Sequence, residues 1–284
     1  MDSIAKKNNL KPDKKLTVMD IFMTSLVRTR ELAITSIKTS TAKFVAYVIF
    51  LSLFAGLVSF GAPCVSKVAS FGGFTNLFTT KVPAFEMKDG VLKADKQFKM
   101  NISKGTILIN TDIDRFKFED FDKEGIYVAI GSKYTKMVSI TDIKDKNSYN
   151  EIYSYNNQML FAEGFNNDLL VKMIPLFYIM LFVTYVGISI FKGLKYLVWA
   201  VLLTISSLSL LKVVKLDMSL KDAFRLSFYA QTFSIILVNI NEGIGYVVSS
   251  LLASIIGAII TVVNIHKAMG PHMPDIDEFM NGEE

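Results

Sequence analysis

Hydrophobic and polar positions divide this chain into long alternating blocks. Five stretches contain no Asp, Glu, Lys or Arg: 44–62, 173–191, 196–211, 226–240 and 243–265. An α-helix needs about 20 apolar residues to cross the hydrocarbon core of a bilayer. The first, second and fifth stretches therefore predict full spans, and the other two predict shorter ones. The expected fold class is an α-helical integral membrane protein of about five transmembrane helices, with a small β-rich (α+β) domain inserted between helices 1 and 2.

That insert, residues 63–169, is the one block polar enough to fold in water. Phe85 and Met87 followed by Asp89-Gly90 and Val91 predict a strand entering a tight hairpin, because this dipeptide tolerates the positive φ angles of a type I′ turn. Runs at 106–110 and 125–130 are β-branched and apolar, and 134–140 alternates less strictly, so three more strands are expected. A helix is expected around 147–158. Asn166, Asn167 and Asp168 are candidate caps for the helix that becomes the second span, with Lys172 at its outer edge.

Ahead of the first span, Thr17-Val18-Met19-Asp20 fits a capping box. Met19, Phe22, Leu26, Ala33 and Ile37 then recur at roughly helical spacing, with Arg28, Arg30 and Lys38 on the other side. Such a helix suits the cytoplasmic membrane surface; packing on the protein's own loops fits the pattern equally well.

Of the 284 residues, 51% are hydrophobic and 20% charged, and the mean hydropathy of +0.38 is too apolar for an ordinary soluble domain. Intrinsic disorder is excluded by this apolar content, and a disulfide scaffold by Cys64 being the sole cysteine. The net charge of +5 does not indicate a nucleic-acid partner, because it is concentrated at one end. Residues 1–43 carry nine Lys or Arg against four Asp or Glu, whereas 63–169 carries 14 of each sign. A basic excess before a first span holds that end in the cytoplasm, so the amino terminus is expected inside and residues 63–169 outside. The 43-residue leader is too long for a signal peptide, and the first span is expected to be retained. Pro63 before Cys64 is a poor lipoprotein cleavage residue, leaving Cys64 as a free thiol at the outer face.

The expected organisation is a cytoplasmic basic leader and amphipathic helix (1–43), helix 1 (44–62), the extracytoplasmic domain (63–169), the membrane bundle of helices 2 to 5 (170–267) and an acidic tail (268–284). Lys192 and Lys195 between the second and third stretches suit a cytoplasmic turn. Lys212, Lys215, Lys221 and Arg225 then conflict with it, since they too prefer the inside. Either five helices cross and this connection lies outside, or 196–211 is a shallow or re-entrant piece. Five crossings, with the carboxyl end outside, is the reading adopted from sequence.

Candidate chemistry is sparse. Nucleophile-elbow, Walker A, dinucleotide and zinc-protease patterns are missing, and no enzymatic activity, cofactor or metal is expected. His266 and His272 lack the further ligands of a metal site. Asp112, Asp114, Glu119, Asp120, Asp122 and Glu124 lack the spacing of a calcium loop and read as a solvated sheet edge. In the membrane part, where polar groups are costly, Tyr229, Gln231, Asn239 and Glu242 form a candidate polar site. Glu242, beside Gly243 and Gly245, reads more readily as an ordinary loop residue. Ser249, Ala253, Gly257 and Thr261 recur every four residues and predict close helix packing.

Several stretches resemble a family of bacterial membrane proteins catalogued as domain of unknown function 1189. They are Phe22-Met23-Thr24-Ser25-Leu26 followed by Ala42-Lys43-Phe44-Val45-Ala46-Tyr47-Val48; Val82-Pro83-Ala84-Phe85-Glu86-Met87-Lys88-Asp89-Gly90-Val91-Leu92; Ile107-Leu108-Ile109-Asn110-Thr111-Asp112; and Leu220 to Thr232, ending Tyr229-Ala230-Gln231-Thr232. Phe233 departs from the pattern, where a helix-kinking proline is expected. The resemblance implies one span, an external domain and several further spans, with a membrane half similar to Yip-type five-helix proteins. Some members carry a maltodextrin-utilisation label, which implies a link to sugar uptake. The functional expectation is a sensor, scaffold or accessory subunit whose external domain binds a ligand or partner. Its partners are the lipid bilayer and another membrane protein such as a transporter. The alternative is a transporter or transporter subunit with a polar site in helix 4.

Overall fold

The computed structural model describes residues 16–102, 105–214 and 218–269. Two compact units divide it, one of residues 64–182 and one combining 1–63 with 183–284.

The bundle unit begins with α1 (Val18–Val27), where the Thr17 side chain accepts from Asp20 N and Asp20 accepts from Thr17 N, the expected capping box. The helix ends at Arg28, and a 3₁₀ turn leads to α2 (Leu32–Lys38). The single amphipathic helix expected here is thus two short ones, and Met19 and Ile37, expected on its apolar face, are exposed. Ile21 and Leu32 are buried in the protein's own bundle core, and Ala33 and Ile34 are buried beside them. Next come α3 (Thr41–Gly56), a π-helical turn at Leu57–Gly61 and α4 (Ala62–Ser70), which together make one apolar helix of 30 residues.

In the second unit, α5 (Gly73–Asn76) and another π-helical turn lead to the strands. β1 (Phe85–Lys88) and β2 (Val91–Ala94) form the expected hairpin, with positive φ at both Asp89 and Gly90. β3 (Phe98–Ile102), β4 (Gly105–Ile109), β5 (Gly125–Ile130), β6 (Tyr134–Ile140) and β7 (Tyr149–Asn156) form a five-stranded sheet in sequence order, antiparallel except for β4 against β5. The helix expected around 147–158 is β7. Tyr149, Ile152, Tyr153 and Tyr155 favour a pleated strand, and only Asn157–Leu160 turns helical, as α6. One face of the sheet packs Tyr127, Ala129, Val138 and Ile140 against Phe116 and Phe121.

α7 (Asn167–Lys172) is capped by Asn166 and leads into α8 (Ile174–Val214), 41 residues without a break. This corrects the expected turn at Lys192–Lys195. The sequence there, Lys-Gly-Leu-Lys-Tyr, holds no proline, and lysine and leucine are good helix formers. Gly193 is used for close approach, since a Cβ there would collide with Ser52 Oγ of α3. α9 (Leu220–Ala230) and α10 (Thr232–Gly243) meet at Gln231, so the chain breaks there without the expected proline. α11 (Ser250–Met269) completes the elements. Among the described residues, four helices are long and apolar enough to cross a membrane (41–70, 174–206, 220–243 and 250–269), where five had been expected.

The bundle core is aromatic. Phe44 and Tyr47 of α3 meet Phe228 and Tyr229 of α9 edge to face, and the Tyr47 and Thr232 hydroxyls lie 2.7 Å apart. At the same end, buried Arg225 donates to Thr41 Oγ1 (3.0 Å), Asp222 Oδ1 (3.2 Å) and the Ser36 carbonyl (3.4 Å). Arg225 therefore lies beside the start of α3.

Candidate functional site

A network of buried polar groups joins α8 to α10. Lys192, 8% exposed, donates to Asn239 Oδ1 at 2.7 Å and to Glu242 Oε2 at 2.7 Å. Asn239, fully buried, donates in turn to the Tyr196 hydroxyl and to the Ile235 carbonyl, each at 2.6 Å. Spacing on the helices explains the convergence. Asn239 and Glu242 are three apart on α10, and Lys192 and Tyr196 four apart on α8, so each pair shares one helix face.

Small residues bring these faces together. A Cβ on Gly56 would collide with Ser189, one on Gly193 with Ser52, and one on Gly243 with the Val58 carbonyl. The network therefore sits level with residues 52–58, in the middle of the charge-free stretch 44–62. A lone ammonium at such a place is costly, and a directly bonded carboxylate is what offsets that cost. Chemically, the cluster is a neutralised ion pair whose partners lie on different helices. Any shift of α8 against α10 must break or re-form it.

Next to the network, an open groove of about 410 Å³ runs between α8, α10 and α11, lined at one end by Lys195 and at the other by Gln231 and Thr261.

The residues singled out from sequence separate in the structure. Asn239 and Glu242 come together, and Glu242 closes α10 as an ion-pair partner where an ordinary loop residue was the favoured expectation. Gln231 lines the groove instead. Tyr229 belongs to the aromatic core. Ala253, Gly257 and Thr261 are buried on α11, with Gly257 against Ser234 of α10, whereas Ser249 precedes the helix and is exposed. Lys192 and Tyr196 were missed. Lys192 was assigned to a surface turn, and only an unbroken α8 puts it opposite Glu242.

His266 is exposed on α11, and His272 and the acidic residues of the tail lie outside the described residues. Among the described residues no group of His, Cys, Asp or Glu could hold a metal. Three members of the acidic stretch of the sheet unit are engaged in ion pairs. Asp114 accepts from Lys133 (2.8 Å) and Ser132 (2.5 Å), Asp122 from Lys99 (2.7 Å), and Glu119 from Lys146 (3.1 Å). The hydrogen bonds from Lys133 and Ser132 hold the Asp114 carboxyl below its ordinary range. Deeper in the same unit, buried Lys136 meets Glu151 at 2.5 Å, and Arg115 approaches the same carboxylate at 3.5 Å.

Four long apolar helices with an inserted five-stranded sheet are compatible with membrane insertion and define an α+β chain of that class. The model of a family described as a protein of unknown function (DUF1189) matches residues 19–265, and the chain belongs to that family. No similar curated protein and no similar solved structure was found.

Proposed function

We propose that the chain is a non-catalytic multi-pass protein of the bacterial cell membrane, a receptor or accessory subunit that crosses four times. Both chain ends then lie on the cytoplasmic side, and residues 63–169 lie outside and bind a ligand or partner. Charge supports this topology. With α8 unbroken, the crossing would end near Lys212, and Lys221 and Arg225 would fall on the same side as Arg28, Arg30 and Lys38 ahead of the first span, so their preference for the inside no longer conflicts. The observation that carries the receptor reading is Asn167. Its Nδ2 donates to the Phe78 and Pro83 carbonyls, both at 3.1 Å, and its Oδ1 accepts from Phe85 N at 2.9 Å. One side chain thus ties the chain entering the β1–β2 hairpin to the α7 segment through which the chain leaves the domain, so a ligand bound to the domain would act on both of its connections.

A photocrosslinking residue at exposed Tyr155 of β7, in intact cells, tests the reading. An adduct with one external ligand or membrane protein is expected. The absence of any adduct from Tyr155 and from exposed Tyr153 would remove it.

The second reading, a transporter or transporter subunit, draws on the Lys192–Asn239–Glu242 cluster, because polar groups at membrane depth mark substrate and ion paths. Maltodextrin uptake by a deletion strain carrying Q231A/N239A/E242A separates the two. Transport requires that uptake fail at equal expression, whereas the receptor reading expects uptake to be retained.

A further inference from the structure

The bundle contains a second lysine at depth, and no ion pair to it is formed among the described residues. Lys195 is exposed on α8 among Leu194, Val198 and Trp199, all of which are more than half exposed and apolar. It follows Gly193, which packs on Ser52, and precedes Tyr196, which accepts from Asn239, so it lies at the depth of the same charge-free stretch. Its ammonium lies 5.9 Å from the centroid of the Tyr196 ring. Glu242 is the only acidic residue between Asp222 and Asp275, and it is taken by Lys192 at 2.7 Å. Among the described residues of α8, α10 and α11, Glu242 is the one carboxylate, so these three helices have none to spare for Lys195. Lys195 also stands at the mouth of the groove between α8, α10 and α11, whose walls include the small residues Ser234, Ser254 and Ala258 and the broad face of Trp199.

We propose that this groove receives a transmembrane helix of another protein, one carrying an Asp or Glu in its apolar stretch that pairs with Lys195. The inference rests on the reading that these helices cross the bilayer. Two features favour a helix as the occupant. Ionisable groups within a bilayer pair with one another across helices, and small residues along a groove let a second backbone approach closely. Charge complementarity fixes the chemistry: the occupant must supply the negative charge that these three helices lack.

The test is photocrosslinking of the full-length chain in its native membrane from position 254, inside the groove, with exposed Ile259 on the same helix as the control position. The expected result is an adduct from 254 and none from 259, mapping by mass spectrometry to an apolar segment that contains Asp or Glu. Its yield should fall at least about tenfold in K195M, since truncating one member of a desolvated pair is strongly unfavourable. The yield should persist in K195R, and K195E should recover it only when the partner's acid is changed to Lys. An adduct with lipid alone, with a second copy of this chain, or with equal yield in K195M would overturn the proposal. Expression and melting of K195M matching the parent exclude misfolding as the cause of a loss. Cysteine labelling at positions 219 and 247 in the same cells separates failure here from failure of the membrane reading. If labelling supports four crossings and no adduct forms, this inference alone falls.

Discussion

Lys192 of α8 and Glu242 of α10 are 50 residues apart in sequence and 2.7 Å apart in space. The two side chains are 11% and 34% exposed, so each offsets part of the other's desolvation cost. Replacing one member leaves an uncompensated charge, while replacing both leaves none. We predict that E242Q or K192M alone lowers stability by about 2–4 kcal/mol and that K192M/E242Q recovers most of the loss. Thermal melting of the detergent-solubilised full chain reads the difference. Equal melting of the single and double variants would show that the contact contributes nothing.

A similar experiment applies in the sheet. Lys136 is buried at the end of the row that continues through Val138 and Ile140, and its carboxylate, Glu151, comes from β7. E151M should cost about 1–3 kcal/mol, because a buried ammonium loses its charged partner, and K136M/E151M should cost less than E151M. Calorimetry on the full chain checks the order, and a double variant worse than E151M would contradict it.

Asn167 supplies three hydrogen bonds at the junction between α7 and the turn before β1. N167A orphans one backbone N–H and two carbonyls, at a cost of about 1–3 kcal/mol. N167D keeps the acceptor and loses both donated bonds, so it should lie between the parent and N167A. Hydrogen exchange of the Phe85 amide should accelerate in N167A and stay protected in N167D; no change in N167A would refute the junction role.

Acid should act first on the sheet. Lys136 lowers the Glu151 carboxyl from its ordinary 4.5, and Lys99 lowers that of Asp122 from 3.8, in each case chiefly through a hydrogen bond. A carboxyl depressed by folding contributes stability that is complete above its unfolded value and lost as pH falls through the folded one. The melting temperature should therefore stay level from neutral pH to about 5 and drop below about 4. The drop should be smaller in E151Q. A midpoint that rises on acidification would contradict the assignment.

How far the sequence revealed this arrangement depends on the range of the interaction concerned. Thr17 and Asp20, or Asp89 and Gly90, are neighbours whose chemistry fixes a cap or a turn locally, and both features are present. β5 and β6 coincide with their expected runs because alternation is also local. β7 was hidden: its exposed tyrosines follow no clean period, and it exists as a strand because β6 offers it an edge. The turn at Lys192–Lys195 failed for a different reason. Charge in an apolar run signals a surface only when no partner waits at depth, and the partner here lies 50 residues away. Glu242 and Asn239 were recognisable as costly residues, but what they neutralise was not.

The four-crossing proposal requires α8 to cross without a turn, with 218–225 on the cytoplasmic side and 243–250 outside. In a C64A background, single cysteines at Ser219 and Val247, both exposed, test it with a membrane-impermeant maleimide on intact, wall-stripped cells. The account predicts that V247C is labelled at once and S219C only after lysis; labelling of S219C in intact cells, with V247C protected, would contradict it.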